Sequence, residues 1–250
     1  MNPDHPLVSV VIPSYNEGSY IDRLLDALAS QDYPNLEVIV SDAESKDDTP
    51  AVIESFTSKL DVKLLTSPPA GPAAGRNIGA AKAKGEWLLF LDADDDITDP
   101  AFISKLVRAA DKNSWQTASA PMRGIDAGIF ERFGTWVNFR YAKLLSRTKH
   151  PVAAGWCILT KRDLFEANHG FNEKIHFGED YDYVTRVGNH GFGFVMDTFY
   201  FIDLRRSREE GWRFVIKGIS NEIYRHTHGY DLENNPHTYE FGKHKDRVKK

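Results

Sequence analysis

Short apolar segments alternate with helix-favouring segments four times in the first half of this chain, and this alternation constrains the fold most strongly. The apolar segments cover residues 7–12, 36–40, 62–65 and 87–91, and the helical segments cover residues 19–30, 49–60, 73–84 and 99–111. Apolar segments this short are typical of buried parallel strands. The pattern predicts right-handed crossovers and an α/β fold, with a mainly parallel sheet flanked by helices. Ligands are then expected at the carboxyl ends of the strands.

Residue types at the start of three predicted helices match those found at helix N-termini. Ser19 followed by Asp22 predicts a capping box. Thr49 and Pro50 predict an N-cap and a first helical position, and Asp99 marks the next start. The helix boundaries therefore agree with the hydrophobic pattern.

The second half of the chain has a looser pattern. It predicts a strand from 117 to 121, a helix over 129–145, a strand over 156–159 and a helix over 161–168. The helix over 129–145 contains the aromatic residues Phe130, Phe133, Trp136, Phe139 and Tyr141. We expect these rings to pack against the sheet, and contact with a lipid-linked or sugar acceptor is the alternative.

Composition excludes several classes of function. A net charge of -5 over 250 residues gives no global basic surface, so no nucleic-acid partner is expected. Cys157 is the single cysteine, which excludes an intramolecular disulfide and a zinc site built from several thiolates. We expect Cys157 to be a buried small hydrophobic residue and the protein to be cytoplasmic, with neither a signal peptide nor a membrane span.

The strongest chemical signal is a run of carboxylates directly after the fourth apolar segment. It reads Asp92-Ala93-Asp94, followed by Asp95 and Asp96. Carboxylates this close repel one another unless a cation neutralises them, and carboxylate oxygens together with phosphate oxygens suit Mg²⁺ or Mn²⁺. The alternative is a solvated acidic turn that caps the following helix.

Two further polar positions follow predicted strands or begin a helix. Asp42 follows the second strand and could accept the imide N–H of a uracil ring, whereas a loop N-cap is the alternative that also covers Asp47 and Asp48. Arg76 lies at the start of a helix, where it can reach a base or a diphosphate.

A late acidic pair supplies a candidate general base. Glu179 and Asp180 enter a helix from the turn at Gly178, and a carboxylate placed there can deprotonate an acceptor hydroxyl. The alternative is that the pair only complements the helix dipole. We expect Asp182 and Arg186 to form an ordinary i,i+4 ion pair.

Taken in order, these elements resemble family 2 glycosyltransferases of the GT-A nucleotide-diphospho-sugar transferase fold. The matching text is 8–17 (VSVVIPSYNE), Asp42 with Ser45 and Asp47, 74–77 (AGRN), 85–87 (GEW), 91–95 (LDADD), 170–173 (GFNE) and Glu179-Asp180. The resemblance runs from about residue 7 to 186.

The resemblance implies an inverting transferase that moves a sugar from a nucleotide diphosphate to a hydroxyl acceptor, which is a glycan, a lipid-linked saccharide or a small molecule. It implies roles for three groups of residues. The nucleoside is held by Pro13, Tyr15, Glu17 and Asp42, and Arg76 fixes the nucleotide. Asp92 and Asp94 hold the metal and the diphosphate. Asp180 acts as the base beside Glu179.

The same resemblance implies a domain division. Residues 1–204 form the transferase domain, with a donor half over about 1–115 and an acceptor half over about 116–204, and residues 205–250 form a C-terminal helix and a polar tail.

Departures from the family pattern narrow the activity. Ala43 and Glu44 stand where many relatives have glycines, so uridine diphosphate is expected on the strength of Asp42 alone. The glutamines are Gln31 and Gln116, so the Q-x-x-R-W motif of processive synthases is absent and single transfers are expected. The alternatives are a sugar nucleotidyltransferase and a catalytically silent nucleotide-sugar-binding protein.

The C-terminal region carries two further predictions. His226 or His228 is expected to complete the metal or diphosphate site, as late histidines do in relatives, and two surface histidines are the alternative. Residues 205–224 mix arginines with Trp212 and several isoleucines, which is typical of an interfacial helix at the inner face of a membrane. An amphipathic helix packed on the domain is the alternative. The oligomeric state stays open.

Overall fold

The computed structural model describes residues 5–153 and 157–236. The strands are β1 (Val8–Ser14), β2 (Leu36–Asp42), β3 (Val62–Thr66), β4 (Trp87–Leu91), β5 (Thr117–Ser119), β6 (Met122–Gly124), β7 (Cys157–Lys161), β8 (Phe192–Phe194) and β9 (Tyr200–Ile202). Seven of them form one sheet in the order β3-β2-β1-β4-β7-β5-β8, and β6 pairs with β9 in a separate ribbon. The first four strands lie where the apolar segments predict them.

The helices lie between the strands in the predicted alternation. They are α1 (Ile21–Ala29), α2 (Thr49–Ser55), α3 (Pro72–Ala80), α4 (Phe102–Asn113), α5 (Ile129–Leu145), α6 (Arg162–Ala167), α7 (Glu179–Val187), α8 (Arg205–Glu210) and α9 (Trp212–Thr227). No helix in the described part of the chain is long and apolar enough to cross a membrane.

The main sheet is mostly parallel, as predicted, but it is mixed. β1, β2, β3 and β4 run parallel, and β5 runs parallel to β8. β7 lies antiparallel between β4 and β5. Helices cover both faces of this sheet, which is the architecture of GT-A glycosyltransferases.

Side chains of the central strands alternate between two cores. Val10 and Leu89 belong to the core on the face of α1 and α4, and Val11 and Phe90 belong to the core on the face of α3, α6 and α7. This alternation is the two-residue period of a strand that is buried on both faces. Cys157 is fully buried in the core on the face of α1 and α4, which confirms the prediction that it is a buried small hydrophobic residue.

Helix α3 lies unusually close to β1 because two of its residues are glycines. A Cβ atom at Gly79 would lie 2.4 Å from Val11 Cγ1, and one at Gly75 would lie 3.0 Å from Pro13 Cβ. Both distances are too short for a side chain without some movement of the neighbour. The glycines therefore fix the height of α3 above the sheet, and with it the position of Arg76.

The predicted capping box at α1 is wrong. The helix begins at Ile21 after Tyr20, and no side-chain cap bond is formed there. The backbone N–H groups of Tyr20 and Ile21 both donate to the carbonyl oxygen of Glu17, at 2.9 Å. The loop that precedes the helix satisfies these donors, so Ser19 is not needed as a cap.

The expectation that the aromatic residues of α5 pack on the sheet is largely wrong. Phe130, Phe133 and Trp136 are 88%, 64% and 55% exposed. Phe139 packs edge-on against Phe194, at 5.3 Å between ring centroids. The helix contacts the domain along one narrow stripe, and the apolar surface of α5 is wider than that stripe.

The single C-terminal helix predicted after residue 204 is two helices. α8 ends at Glu210 and α9 begins at Trp212, and Gly211 between them has φ +55° and ψ −131°. This conformation is readily adopted only by glycine, so the chain turns there. The predicted strand over 156–159 corresponds to β7, and its residue 156 lies outside the described residues. The basic tail beyond residue 236 also lies outside them.

Candidate functional site

The predicted site residues other than His226 and His228 gather at the carboxyl edge of the sheet. β1, β2 and β4 end there, and α3, α7 and α8 begin at the same edge. The loops after β1 and β2 are joined by side chains: Asn16 N donates to Ser45 Oγ at 2.8 Å, and Glu17 N donates to Thr49 Oγ1 at 2.9 Å. Asp47 accepts from Gly18 N at 3.1 Å. These bonds hold the two loops as one rigid wall.

Asp42 is buried at the end of β2, with 2% of its surface exposed. Its carboxylate accepts from the backbone N–H of Ser45 at 2.9 Å and from the Ser45 hydroxyl at 2.5 Å. Asp47 accepts from Thr49 N at 3.0 Å. The predicted N-cap at Thr49 is wrong, because α2 begins at Thr49 after Asp48, which forms no side-chain cap bond. Each carboxylate oxygen can accept a second bond, so Asp42 keeps acceptor capacity for a ligand.

The other predicted nucleoside contacts come from β1 and the loop after it. Pro13 is buried in β1 beneath Gly75 of α3. Tyr15 is half-buried in the loop that follows, beside Asn16, whose φ of +55° turns the chain. Both residues therefore lie on the wall that also contains Asp42.

Arg76 connects the two carboxylate motifs. Its guanidinium donates from Nη2 to Asp92 Oδ1 and from Nη1 to Glu179 Oε1, at 2.7 Å in each case. Asp92 follows β4, whereas Glu179 begins α7, 103 positions away from Arg76. Arg76 is 2% exposed. Burial acts to lower its pKa, but Asp92, Glu179 and Asp180 raise the pKa above its ordinary value.

Burial raises the pKa of the carboxyls that follow β4. Burial raises the pKa of Asp92 to about 6, with Asp94 adding to the rise and Arg76 opposing it. Burial also raises the pKa of Asp94, and it holds that of Asp95 well above its ordinary value. Asp95 accepts from Asp92 N at 2.9 Å, so it shapes the turn. Burial is therefore the largest cause of the raised pKa at each of these three carboxyls.

Arg205, at the start of α8, is a site residue that the sequence analysis placed elsewhere. Its Nη2 atom lies 2.6 Å from Glu17 Oε1 and 3.2 Å from Asp94 Oδ2, and its side chain is 13% exposed. Burial, with help from Asp94, raises the pKa of Glu17 to about 8 although Arg205 lowers it. The sequence analysis placed Arg205 in a segment, 205–224, expected to be an interfacial helix at a membrane or an amphipathic helix packed on the domain.

Asn77 connects α3 to the segment that leads into α7. Its side chain donates to Phe171 O at 2.9 Å and to Glu173 Oε1 at 2.8 Å, and it accepts from Phe171 N at 2.9 Å. The motif at 74–77 and the motif at 170–173 therefore form one structural unit. Arg76 and Asn77 hold α7 and its approach against α3 from two adjacent positions.

Asp180 lies in the first turn of α7, next to Glu179. Its Oδ1 atom accepts from the backbone N–H of Tyr181 at 2.9 Å, and its charge contributes to the raised pKa of Arg76. The helix begins after Gly178, whose φ of +89° is readily adopted by glycine. Asp182 and Arg186 form the ordinary pair that their spacing predicts, at 2.9 Å.

His226 and His228 lie at the end of α9. His226 contacts Tyr141 at 3.1 Å and Tyr230 at 3.3 Å, and His228 stacks on Tyr224. Within residues 5–153 and 157–236, no group of three or more His, Cys, Asp or Glu side chains is arranged to hold a metal ion. The structure thus does not place either histidine in a metal-binding cluster with Asp92 and Asp94.

A groove of about 710 Å³ lies between α5 and the β6–β9 ribbon. Its lining includes Trp136, Phe139, Phe199 and Phe201. The ribbon is joined to the acidic turn by a backbone bridge between Asp96 and Phe201. The groove therefore lies beside the ribbon that supports the carboxylate motif.

Comparison with known proteins agrees with this geometry. The family model described as glycosyl transferase family 2 matches residues 9–168, and the chain belongs to this family of enzymes. One relative is the poly(ribitol-phosphate) β-N-acetylglucosaminyltransferase TarS of Staphylococcus aureus, which is 32% identical over 185 residues. This match covers 69% of the chain and 30% of TarS, so the chain spans less than a third of that relative's length.

Solved structures support the fold. The mannosyltransferase PcManGT of Pyrobaculum calidifontis, in complex with GDP-Man and Mn²⁺, has a TM-score of 0.73 at 22% identity over 90% of this chain and 65% of its own. The first 349 residues of S. aureus TarS, in complex with UDP-GlcNAc, have a TM-score of 0.64 at 24% identity over 79% of this chain and 58% of theirs. At these identities the likeness shows the GT-A fold.

Proposed function

We propose that this protein is an inverting, metal-dependent, non-processive glycosyltransferase that moves a sugar from a nucleotide diphosphate to a hydroxyl acceptor. The observation that carries the proposal is the bridge from Asp92 through Arg76 to Glu179, with both bonds at 2.7 Å. It brings the acidic turn after β4 and the acidic pair of α7 together in one buried arrangement. Membership of family 2 supports the same reaction.

The residues present fit a divalent cation. Asp92 and Asp94 offer carboxylate oxygens, which Mg²⁺ and Mn²⁺ prefer, and a diphosphate would offer more. Among the described residues, Glu17 Oε2 and Asp95 Oδ1 are buried acceptors without a hydrogen-bond partner. When bound, such a cation would neutralise charge on the departing diphosphate. Arg205 forms an ion pair with Asp94, so a bound cation would have to compete with the guanidinium of Arg205. We keep His226 or His228 in the proposal as an additional metal ligand.

For the donor we propose a uridine diphosphate sugar held by the loop wall and by α3. Asp42 would accept the imide N–H of uracil beside Pro13 and Tyr15, and Arg76 and Glu17 would position the nucleotide. The two solved neighbours were crystallised with different nucleotides, UDP-GlcNAc and GDP-Man, which supports a nucleotide sugar without choosing the base. Competition calorimetry tests the choice: UDP should bind more tightly than GDP, and the reverse order would contradict the role of Asp42.

Asp180 is the proposed general base. A sugar hydroxyl is a weak nucleophile at neutral pH, and a carboxylate that accepts its proton as the new bond forms contributes on the order of a hundred- to ten-thousand-fold in rate. Glu179 accepts a hydrogen bond from Arg76, so its role is to orient α7. Asp180 then accepts the proton of the acceptor hydroxyl. One base opposite the leaving diphosphate implies inversion at the anomeric carbon.

Variants of the acidic pair test the mechanism. Asp180→Asn should lose transfer by roughly a hundredfold or more while donor and metal affinity stay unchanged. Glu179→Gln should lose less rate and some thermal stability, because it weakens the bond to Arg76. Asp163→Asn, which changes an exposed carboxylate in the first turn of α6, is the matched control and should behave as wild type. Full transfer by Asp180→Asn would place the base elsewhere.

A donor panel tests the class of reaction. Nucleotide sugars are added with Mg²⁺ or Mn²⁺, and both donor hydrolysis and thermal stabilisation are measured, since a bound donor stabilises the fold even without acceptor. Stabilisation without any hydrolysis or transfer would indicate a silent binding protein. Formation of a nucleotide sugar from sugar phosphate and nucleoside triphosphate would indicate a nucleotidyltransferase. Stabilisation that survives excess chelator would contradict the metal requirement.

The remaining parts of the proposal concern context. We propose a glycan, a lipid-linked saccharide or a small molecule as acceptor, bound by the half over 116–204, while the half over 1–115 binds the donor. The C-terminal region from residue 205 contributes Arg205 to the donor side. We also propose a cytoplasmic location at the inner face of a membrane, and the surface concerned is argued next.

A further inference from the structure

Two helices of this protein expose apolar side chains that nothing in the described part of the chain covers. On α5 these are Ile129, Phe130, Phe133, Trp136, Val137 and Leu144. On α9 they are Trp212, Val215, Ile216, Ile219 and Ile223. Phe130 and Trp212 are more than four-fifths exposed, at 88% and 82%. Exposed apolar surface on this scale marks an interaction site.

Two side-chain contacts tie α5 to the C-terminal helices. Glu131, at the start of α5, bonds Arg208 of α8 at 2.7 Å, and Tyr141, towards the end of α5, bonds Glu222 of α9 at 2.5 Å. At about 100° per residue, Tyr141 and Glu222 each lie roughly 80° from the centre of the exposed apolar stripe of their own helix. The two contacts come in the same order along α5 and along α8–α9, so the exposed stripes turn towards one surface, which we name the α5–α9 face.

Charge shows what kind of partner fits the α5–α9 face. Residues 129–149 contain five cations, which are Arg132, Arg140, Lys143, Arg147 and Lys149. The single acid of this segment, Glu131, is paired with Arg208. The segment therefore has a net charge of +4 in a chain whose net charge is -5. These five cations lie on or directly after the helix that carries the exposed apolar rings.

This combination selects among possible occupants. A second copy of the chain would bring the same +4 segment against itself, and like charges at an interface are unfavourable. An anionic lipid surface satisfies both features, because the rings enter the boundary between headgroups and acyl chains while the cations stay at the headgroups. Helices with this composition lie in the plane of the membrane.

We propose that the α5–α9 face docks the protein on an anionic membrane surface. Docking uses both helices, so the interfacial segment includes α5 as well as the region after residue 204. Trp136 and Trp212 both belong to the face and act as built-in reporters. The proposal concerns binding alone and does not depend on sugar transfer.

The experiment uses the full chain and two kinds of vesicle, phosphatidylcholine alone and phosphatidylcholine mixed with phosphatidylglycerol. Flotation at low salt should recover the protein with the mixed vesicles, and high salt should release much of it. Tryptophan emission should shift to shorter wavelength on addition of mixed vesicles, and Trp212→Phe should reduce the shift. No nucleotide sugar is present, so failure here leaves the transfer reaction untouched.

Matched variants separate the apolar and charged contributions. Phe130→Gln with Phe133→Gln should weaken binding on the order of tenfold or more, because two exposed rings no longer enter the membrane. Arg140→Gln with Lys149→Gln should lose about fivefold per cation removed. The control, Lys82→Gln with Lys112→Gln, removes the same charge from exposed positions in the turn after α3 and on α4, and it should bind nearly as wild type.

Three results would overturn the proposal. The first is the absence of flotation with mixed vesicles at low salt. The second is equal binding by the phenylalanine double variant and the wild type, when circular dichroism shows that both proteins are folded. The third is concentration-dependent self-association in sedimentation velocity that the phenylalanine variant abolishes, since this would assign the face to contact between copies of the chain.

Discussion

Arg76→Met should destabilise the protein because it leaves two buried carboxylates without their counter-ion. The guanidinium makes charge-assisted bonds of 2.7 Å to both Asp92 and Glu179, whose side chains are only 22% and 12% exposed. Removing one partner of a buried pair costs about 3–5 kcal/mol. We expect the lower end, about 3 kcal/mol, because the raised pKa of Asp92 lets that carboxyl take up a proton.

Thermal and urea denaturation measure this loss. For a domain of this size, about 3 kcal/mol corresponds to a fall in Tm of roughly 6–12 °C. Arg108→Met is the matched control, since Arg108 is exposed on α4, and it should change stability by less than about 0.5 kcal/mol. Adding Asp92→Asn and Glu179→Gln to Arg76→Met should restore part of the loss, because the unpaired charges disappear.

Two results would refute the reasoning. Equal stability of Arg76→Met and Arg108→Met would mean that the guanidinium does not hold the carboxylates. A triple variant no more stable than Arg76→Met would mean that the loss comes from packing and not from charge. Comparing the triple variant with Arg76→Met separates these cases, since Arg76 is in direct contact with both carboxylates.

Three further predictions concern the contacts of Asn77, Gly79 and Glu37. Asn77→Ala should lower the free energy of unfolding by about 1–3 kcal/mol, because Phe171 N and O lose their partner, and urea denaturation checks this. Gly79→Ala should cost about 1–3 kcal/mol by overpacking. Gly134→Ala is the control, because Gly134 lies within α5 with open space around it, and this change should be neutral or stabilising by up to about 1 kcal/mol. Equal changes in Tm for Gly79→Ala and Gly134→Ala would contradict the close approach of α3 to β1. Burial acts to raise the pKa of Glu37, but hydrogen bonds from Lys63 and Ser9 outweigh burial and lower this pKa below 4.5. The stabilisation that these bonds give is therefore present above pH 4.5 and is lost as the pH falls. Glu37→Gln should therefore be less stable than wild type at pH 7 in a pH series of melts, and a gap that did not narrow towards pH 3 would rule out this account.

The parts of the fold that depend on local pattern were predictable. The predicted bounds of β4 and α5 agree with the structure, Trp87–Leu91 and Ile129–Leu145, because each has a strong apolar pattern of its own. The place of β7 between β4 and β5, antiparallel to both, was not predictable, because pairing of distant strands leaves no local signal. β6, β8 and β9 have three residues each, which is too short for a periodicity.

The candidate site divides in the same way. The sequence pointed to Asp92, Arg76 and Glu179 separately, and the structure places them in one chain of ion pairs. It could not show that Arg76 binds both carboxylates, since this depends on the height of α3 above the sheet. Arg205 was missed because its partner Glu17 is 188 positions away. The prediction that the rings of α5 pack on the sheet was wrong because an apolar helix face in a sequence does not identify the surface that it contacts.

The glycines of α3 have a consequence for how such a protein can change its substrate. Gly75 and Gly79 hold α3 against β1, and Arg76 takes its place between the carboxylates from that contact. We expect a side chain at Gly79 to lift the helix and disturb the bridge from Arg76 to Asp92 and Glu179. The loops after β1 and β2 are held instead by hydrogen bonds between them and by the pair of Glu17 with Arg205. If those loops hold the nucleoside as proposed, selection or engineering of a new donor should act on the loops and leave α3 unaltered, so that the nucleoside contacts can change while the bridge at Arg76 is kept.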